Sequence, residues 1–186
     1  MEDIPLSIGD PLDEIAVAGM HRAGITDWLL SRGWTGVKLQ MLGIAFLAVS
    51  AYTLHHNHKT RTLSFFAWIV LDAMAFAVAF RRGDLRAFFA LRLTVQVVVG
   101  IAFWRLIHRL NPESWVLWIA GWPATILSVT NAALKWVFVQ YNSTMPLQTR
   151  ANIVNVIRGT RWVGQSTWNF VYLFLMAGSG VIKTRP

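Results

Sequence analysis

The chain has 186 residues, of which 55% are hydrophobic and only 14% are charged, and it contains no cysteine. The apolar residues form five blocks, each near the roughly 20 helical residues that cross the hydrocarbon core of a bilayer. A soluble domain would interrupt such blocks with polar residues at helical or strand period, and the lack of cysteine excludes disulfides, thiol catalysis and cysteine-ligated metals.

The net charge of +8 does not predict nucleic-acid binding, because the Lys and Arg residues lie mostly between the apolar blocks. There they can meet anionic lipid headgroups, which attract cations next to a membrane span. We therefore expect the lipid bilayer as a partner, a bound phospholipid, no other cofactor and no nucleic acid. The predicted headgroup-binding residues are Arg81, Arg82, Arg86, Arg150, Arg158 and Arg161.

The amino-terminal segment, residues 1–33, is predicted to be an amphipathic helix lying in the membrane interface. Asp10 can act as its N-cap, Pro11 suits the first helical position, and acidic residues follow in the first turn. The helix should continue to about Arg32 and stop at Gly33. It is too polar to span a bilayer. A flexible, solvated arm is the alternative.

The blocks predict an all-α, polytopic membrane helical bundle that forms a single domain over residues 1–186. Short connections between the first four blocks make neighbouring helices antiparallel. The predicted transmembrane helices cover residues 34–54, 62–80, 85–107, 115–139 and 162–182.

The longer connection before the last block contains a second predicted in-plane amphipathic helix, residues 146–158. Pro146 suits its first position and Gly159 would lie past its end. A solvated loop is the alternative. Nine Lys and Arg residues fall on the amino-terminal side of this topology and six on the other, which places the amino terminus on the cytoplasmic or equivalent side.

Two charges fall inside predicted spans, where each costs at least about 2.5–3.5 kcal/mol at the helix centre. Asp72 lies in the middle of the second block and Arg92 about two turns into the third. Both are ten residues from Arg82, near the centre of the connecting turn. In an antiparallel pair they share a depth, so we expect a salt bridge between them.

Further polar residues should lie near the same depth, namely Gln96, Lys135, Gln165 and Asn169. Asp72, Arg92 and Lys135 together leave one uncompensated positive charge. One interpretation is therefore a polar pocket that takes an anion, a lipid phosphate or a partner's carboxylate. The other is that the pair and the amides join helices, while Lys135 snorkels to the interface.

Four histidines, His55, His56, His58 and His108, fall in connections at the opposite side and are weak candidates for metal ligands. Membrane oxygenases use more histidines at helical spacing, with carboxylates nearby. A solvated interfacial turn explains these histidines better, and we predict no metal site.

No phosphate-binding glycine loop, HExxH or GxSxG motif is present in the sequence. The first function hypothesis is therefore a non-catalytic subunit of a larger membrane-embedded assembly, with unlike subunits or copies of itself as partners. The second is a small homo-oligomeric channel or transporter that uses the polar residues. The third is a membrane-embedded enzyme acting on a lipid or isoprenoid-like substrate, with Asp72 as its acid.

Overall fold

The computed structural model describes residues 4–53, 58–110 and 115–160, and within these ranges the protein is all α-helical with no strand. A short 3-10 turn, Leu6–Ile8, precedes the first helix. The α-helices in chain order are α1 (Pro11–Arg22), α2 (Ile25–Ser31), α3 (Gly36–Tyr52), α4 (His58–Arg82), α5 (Leu85–Leu110), α6 (Trp115–Tyr141) and α7 (Leu147–Thr160).

The amino-terminal segment is two helices rather than the one continuous helix expected to about Arg32. The chain turns between α1 and α2 at Gly24, whose φ of 68° lies in the left-handed region that favours glycine. Asp10 and Pro11 begin α1 as predicted. The helix does not stand apart from the bundle, because α1 packs against α4.

The helices α3 and α4 form the closest helix pair. A Cβ added to Gly36 would lie 2.6 Å from Cβ of Ala79, so only glycine permits this approach. Further along, Gly43 lies against Trp68. The first predicted span, 34–54, corresponds to α3, which begins two residues later and has Thr35 as its N-cap.

A tight turn joins α4 to α5, with Gly83 at a φ of 79°. The two helices run antiparallel, and Phe76 of α4 packs edge to face against Phe88 and Phe89 of α5. These rings are fully buried and belong to the main hydrophobic core. The predicted span 62–80 is the central part of α4, which extends beyond it at both ends.

The helices α5 and α6 also pair antiparallel, with Gly100 against Thr125. They correspond to the predicted spans 85–107 and 115–139. The helix predicted at 146–158 is present as α7, which extends to Thr160 and therefore includes Gly159. It contacts α6 and the 3-10 turn. Because α5 and α6 are antiparallel, α7, the α4–α5 turn and the amino-terminal segment lie at the same end of the bundle.

Among the described residues, the helix Lys59–Arg82 is long and apolar enough to cross a membrane. A second candidate arises if α2 and α3, which are bent by 99° relative to each other, count as one broken span. These properties agree with membrane association but do not establish five spans. The fifth predicted span, 162–182, lies outside the described residues.

Candidate functional site: a buried ion cluster

Arg92 lies at the centre of a buried network of charged side chains. Its guanidinium donates to both carboxylate oxygens of Asp13, from Nη1 at 2.8 Å and from Nη2 at 3.0 Å. It also donates to Oδ2 of Asp72, from Nε at 3.1 Å and from Nη2 at 2.5 Å. The predicted contact between Asp72 and Arg92 is therefore present, and Asp13 is a second partner that the sequence analysis missed.

Asp10 connects Arg92 to the second buried cation. Nζ of Lys135 donates to Oδ1 of Asp10 at 2.8 Å, while Oδ2 of Asp10 lies 3.5 Å from Nη1 of Arg92. Lys135 is 1% exposed, so the alternative that it snorkels to the interface is wrong for this structure. We call these five side chains, Asp10, Asp13, Asp72, Arg92 and Lys135, the ion cluster.

The start of α1 places two of these carboxylates inside the bundle. The backbone N–H of Asp10 donates to Oδ2 of Asp13 at 2.8 Å, which is half of a capping box and fixes the first turn. Just before it, Ile8 is fully buried, and a Cβ on Gly9 would lie 2.9 Å from the ring of Phe76. The amino-terminal residues thus insert against α4 instead of covering its surface.

Neutral side chains near the ion cluster make further hydrogen bonds between helices. Gln40 on α3 donates to Oδ1 of Asp72 at 3.2 Å. The predicted residue Gln96 accepts from Ser128 at 2.9 Å, and Asn131 donates to Oγ1 of Thr160 at 2.8 Å. These three hydrogen bonds connect α3 to α4, α5 to α6 and α6 to α7.

The charge of the ion cluster is opposite to the one inferred from the sequence. Three carboxylates face two cations, whereas Asp72, Arg92 and Lys135 alone would leave one positive charge. The space expected to hold an external anion is filled by Asp10 and Asp13. A cavity of about 10 Å³ lies beside them, which is room for about one water molecule.

Burial raises the pKa of the Asp13 carboxyl above its ordinary value of 3.8, and the neighbouring Asp10 and Asp72 act in the same direction. The attraction of Arg92 and its hydrogen bonds lower that pKa, but desolvation is the larger effect. If Asp13 binds one proton, the total charge of the three carboxyl groups and two cations becomes zero. The direction of the pKa and the charge count therefore agree.

Five of the arginines predicted to bind headgroups are described, and they lie at one end of the bundle. Arg81, Arg82 and Arg86 are exposed around the α4–α5 turn, and Arg81 lies 3.4 Å from Asp27 of α2. On α7, Arg158 donates to Oγ of Ser7 at 2.8 Å, and Arg150 donates to the carbonyl of Met145 at 3.0 Å.

Five of the predicted site residues lie outside the described residues, namely Arg161, Gln165, Asn169, His55 and His56. His58 belongs to α4 and His108 to α5, and only the backbone of these two residues is described. In the part of the chain that is described, no group of three or more His, Asp or Glu side chains is arranged to hold a metal ion.

One signal in the sequence points to the carboxylates that were missed. No Asp or Glu follows Glu113, so a buried Lys135 has to take its counter-ion from an earlier part of the chain. The chain has nine acidic residues in all, and the amino-terminal segment carries a large share of them. The helix-start pattern predicts only a capping role for Asp10 and Asp13, whereas Asp13 both caps α1 and pairs with Arg92.

Comparison with protein-family models, with curated proteins and with solved structures gives no match for this chain.

Proposed function

We propose that this chain is a non-catalytic multi-pass membrane protein that acts as a subunit of a larger membrane-embedded assembly. In this proposal the ion cluster joins the amino-terminal segment to three long helices of the bundle. The observation that carries the proposal is an inverted distribution of polarity, with charged side chains inside the bundle and apolar side chains on its outer surface.

The outer surface of the α3–α4 pair has the composition expected of a lipid-facing or helix-facing surface. Met41, Phe46 and Val49 are exposed on α3, and Leu63 and Val70 are exposed on α4, at 70% and 56% respectively. No exposed residue between 40 and 53 or between 60 and 80 carries a charge. In water such a continuous apolar surface would favour association.

The interior supports a packing role more than a substrate site. Both cations of the ion cluster have carboxylate partners within 2.8 Å, and the adjoining cavity is too small for a substrate. Ion pairs that satisfy each other avoid most of the cost of placing charge in a low-dielectric interior. We therefore favour the interpretation that the cluster joins helices.

The proposed topology has α3, α4, α5 and α6 as four spans, followed by a fifth at residues 162–182. The amino-terminal segment, the α4–α5 turn and α7 then lie at the cytoplasmic or equivalent side, together with their arginines. The lipid bilayer and other subunits are the proposed partners.

Membrane insertion can be tested with single cysteines, because the chain has none of its own. In sealed vesicles, Leu63→Cys and Val70→Cys should not react with a membrane-impermeant maleimide. The matched control Arg86→Cys should react from one side only. Full labelling of Val70→Cys in intact vesicles, at the rate of the control, would contradict the proposed topology.

The subunit role is tested by the mass of the intact complex after extraction in a mild detergent. Co-purification with unlike membrane proteins in a fixed ratio is the expected result. A homo-oligomer alone would favour the channel or transporter, and flux through liposomes that is lost in Asp72→Asn would identify it. A stable monomer would contradict both.

A further inference from the structure

The geometry points to a binding site for the phosphate group of an anionic amphiphile in a groove between α7, the end of α6 and the amino-terminal segment. The groove has a volume of about 580 Å³, within the range of small-molecule sites. It is separate from the ion cluster. This inference rests on the proposed membrane location, and it names the ligand that the bundle would hold there.

The polar part of the groove is positively charged. Arg150 and Arg158 line it, and they are two turns apart on the same side of α7. No acidic side chain is among the described residues that line it. Arginine is well suited to phosphate oxygens because its planar guanidinium can donate two parallel hydrogen bonds. Asn142, which is largely buried, adds a neutral amide to the lining.

The remaining lining is apolar, which distinguishes this groove from a site for a small inorganic anion. Phe138 and Val154 belong to the hydrophobic core or pack against it, and both line the groove. Leu147, at the start of α7, is 82% exposed and also lines it. A ligand with a phosphate and an attached apolar chain would satisfy both parts of this surface.

The test is a lipid titration of the detergent-purified protein, followed by native mass spectrometry. The probes are dioleoyl phosphatidylglycerol and the zwitterionic dioleoyl phosphatidylcholine. We expect preferential binding of phosphatidylglycerol, and a weakening of about fivefold in each of Arg150→Gln and Arg158→Gln. The matched control, Arg22→Gln, removes an exposed arginine of the amino-terminal segment that does not line the groove, and it should bind as the wild type does.

Ser7→Ala separates ligand binding from a structural role of Arg158, because it removes both hydrogen bonds from Arg158 to Ser7 but keeps the charge. It should retain phosphatidylglycerol binding. If it weakens binding as much as Arg158→Gln does, Arg158 acts by holding the amino-terminal segment and the inference is overturned. Equal weakening by Arg22→Gln would also overturn it, since the effect would then come from general surface charge.

Two further arms identify the source of the phosphate. Glycerol 3-phosphate should displace the lipid only at far higher concentration, and Leu147→Gln should weaken lipid binding without affecting glycerol 3-phosphate. Equal affinity for both ligands would instead assign the site to a soluble phosphate ester. Flotation of each variant with vesicles is measured in parallel. Loss of flotation contradicts the membrane proposal, whereas normal flotation with unchanged lipid binding contradicts only this inference.

Discussion

The ion cluster and the groove on α7 both contain cations, but their surroundings differ. In the cluster, Arg92 and Lys135 are almost completely buried and meet carboxylates supplied by the chain itself. In the groove, Arg150 and Arg158 lie next to neutral and apolar side chains, and no carboxylate is among the described lining residues.

The difference indicates how the two regions can act. Burial of an arginine without counter-ions would be prohibitive, so the cluster must be assembled from carboxylates on other segments as the bundle folds. An arginine at the surface has no such requirement and can meet an anion from outside. The cluster is therefore expected to determine stability, and the groove to determine ligand binding.

The largest expected effect is that of Arg92→Met, which leaves three buried carboxylates without their shared cation. Breaking a buried ion pair from one side costs about 3–5 kcal/mol, a large part of the stability of a domain. We expect the variant to aggregate or to melt at a far lower temperature in detergent, as followed by size-exclusion chromatography and tryptophan fluorescence.

Arg158→Met is the matched control, because it removes the same residue type from the groove. It loses two exposed hydrogen bonds, both to Oγ of Ser7, and should cost less than about 1 kcal/mol. Comparable losses of melting temperature in the two variants would remove the distinction between cluster and groove.

Lys135→Met should have the second largest effect, about 2–3 kcal/mol. The loss is smaller than for Arg92→Met because Asp10 still lies 3.5 Å from Arg92. Combining it with Asp10→Asn should cost less than the sum of the single losses, with a coupling of about 0.5–3 kcal/mol in denaturant unfolding. The exposed Lys59 gives the control, Lys59→Met, which should not couple to Asp10→Asn. Strict additivity in both pairs would show that Lys135 and Asp10 act independently.

The contact between Asp72 and Arg92 was predictable because local geometry determines it. A short turn joins α4 to α5, so the register of the antiparallel pair follows from counting residues outward from the turn. The same register brings Phe76 against Phe88, which lie one helical turn from Asp72 on α4 and from Arg92 on α5, respectively. Contacts between two helices joined by a short turn can therefore be predicted by counting residues from that turn.

The contact between Asp10 and Lys135 spans 125 residues, and no periodicity or spacing in the sequence determines such a distance. The insertion of the amino-terminal segment places Gly9 against the ring of Phe76, and the segment is divided into two helices at Gly24. Helix propensity alone predicts neither feature. Only the charge balance was available in advance, because no acid follows Glu113. The sequence therefore predicted the cations of the site better than their partners.

The smallest expected effect is that of Asp13→Asn, which tests whether the ion cluster carries a net negative charge. Asparagine keeps one oxygen, which in the position of Oδ2 can accept from Nη1 of Arg92 and from the backbone N–H of Asp10. The hydrogen bond from Nη2 of Arg92 is lost, but the change also removes one negative charge from the cluster. At neutral pH the free energy of unfolding should therefore change by about 1 kcal/mol or less, whereas Asp13→Ala, which leaves Arg92 without this acceptor, should cost more.

The Asp13→Asn variant should differ from the wild type in how its free energy of unfolding depends on pH. Because burial raises the pKa of Asp13, the folded protein binds a proton there more tightly than the unfolded chain does. The stabilisation from Asp13 is therefore complete when the pH is below 3.8, the ordinary pKa of the carboxyl in the unfolded chain. It is lost as the pH rises through the raised pKa of the folded protein. The difference in unfolding free energy between wild type and Asp13→Asn should follow this course, while Asp27→Asn, at an exposed position, should keep the wild-type dependence. A wild type that gains stability relative to Asp13→Asn as the pH rises over this range would mean that the attraction of Arg92 exceeds desolvation, and that the cluster holds its negative charge without a proton.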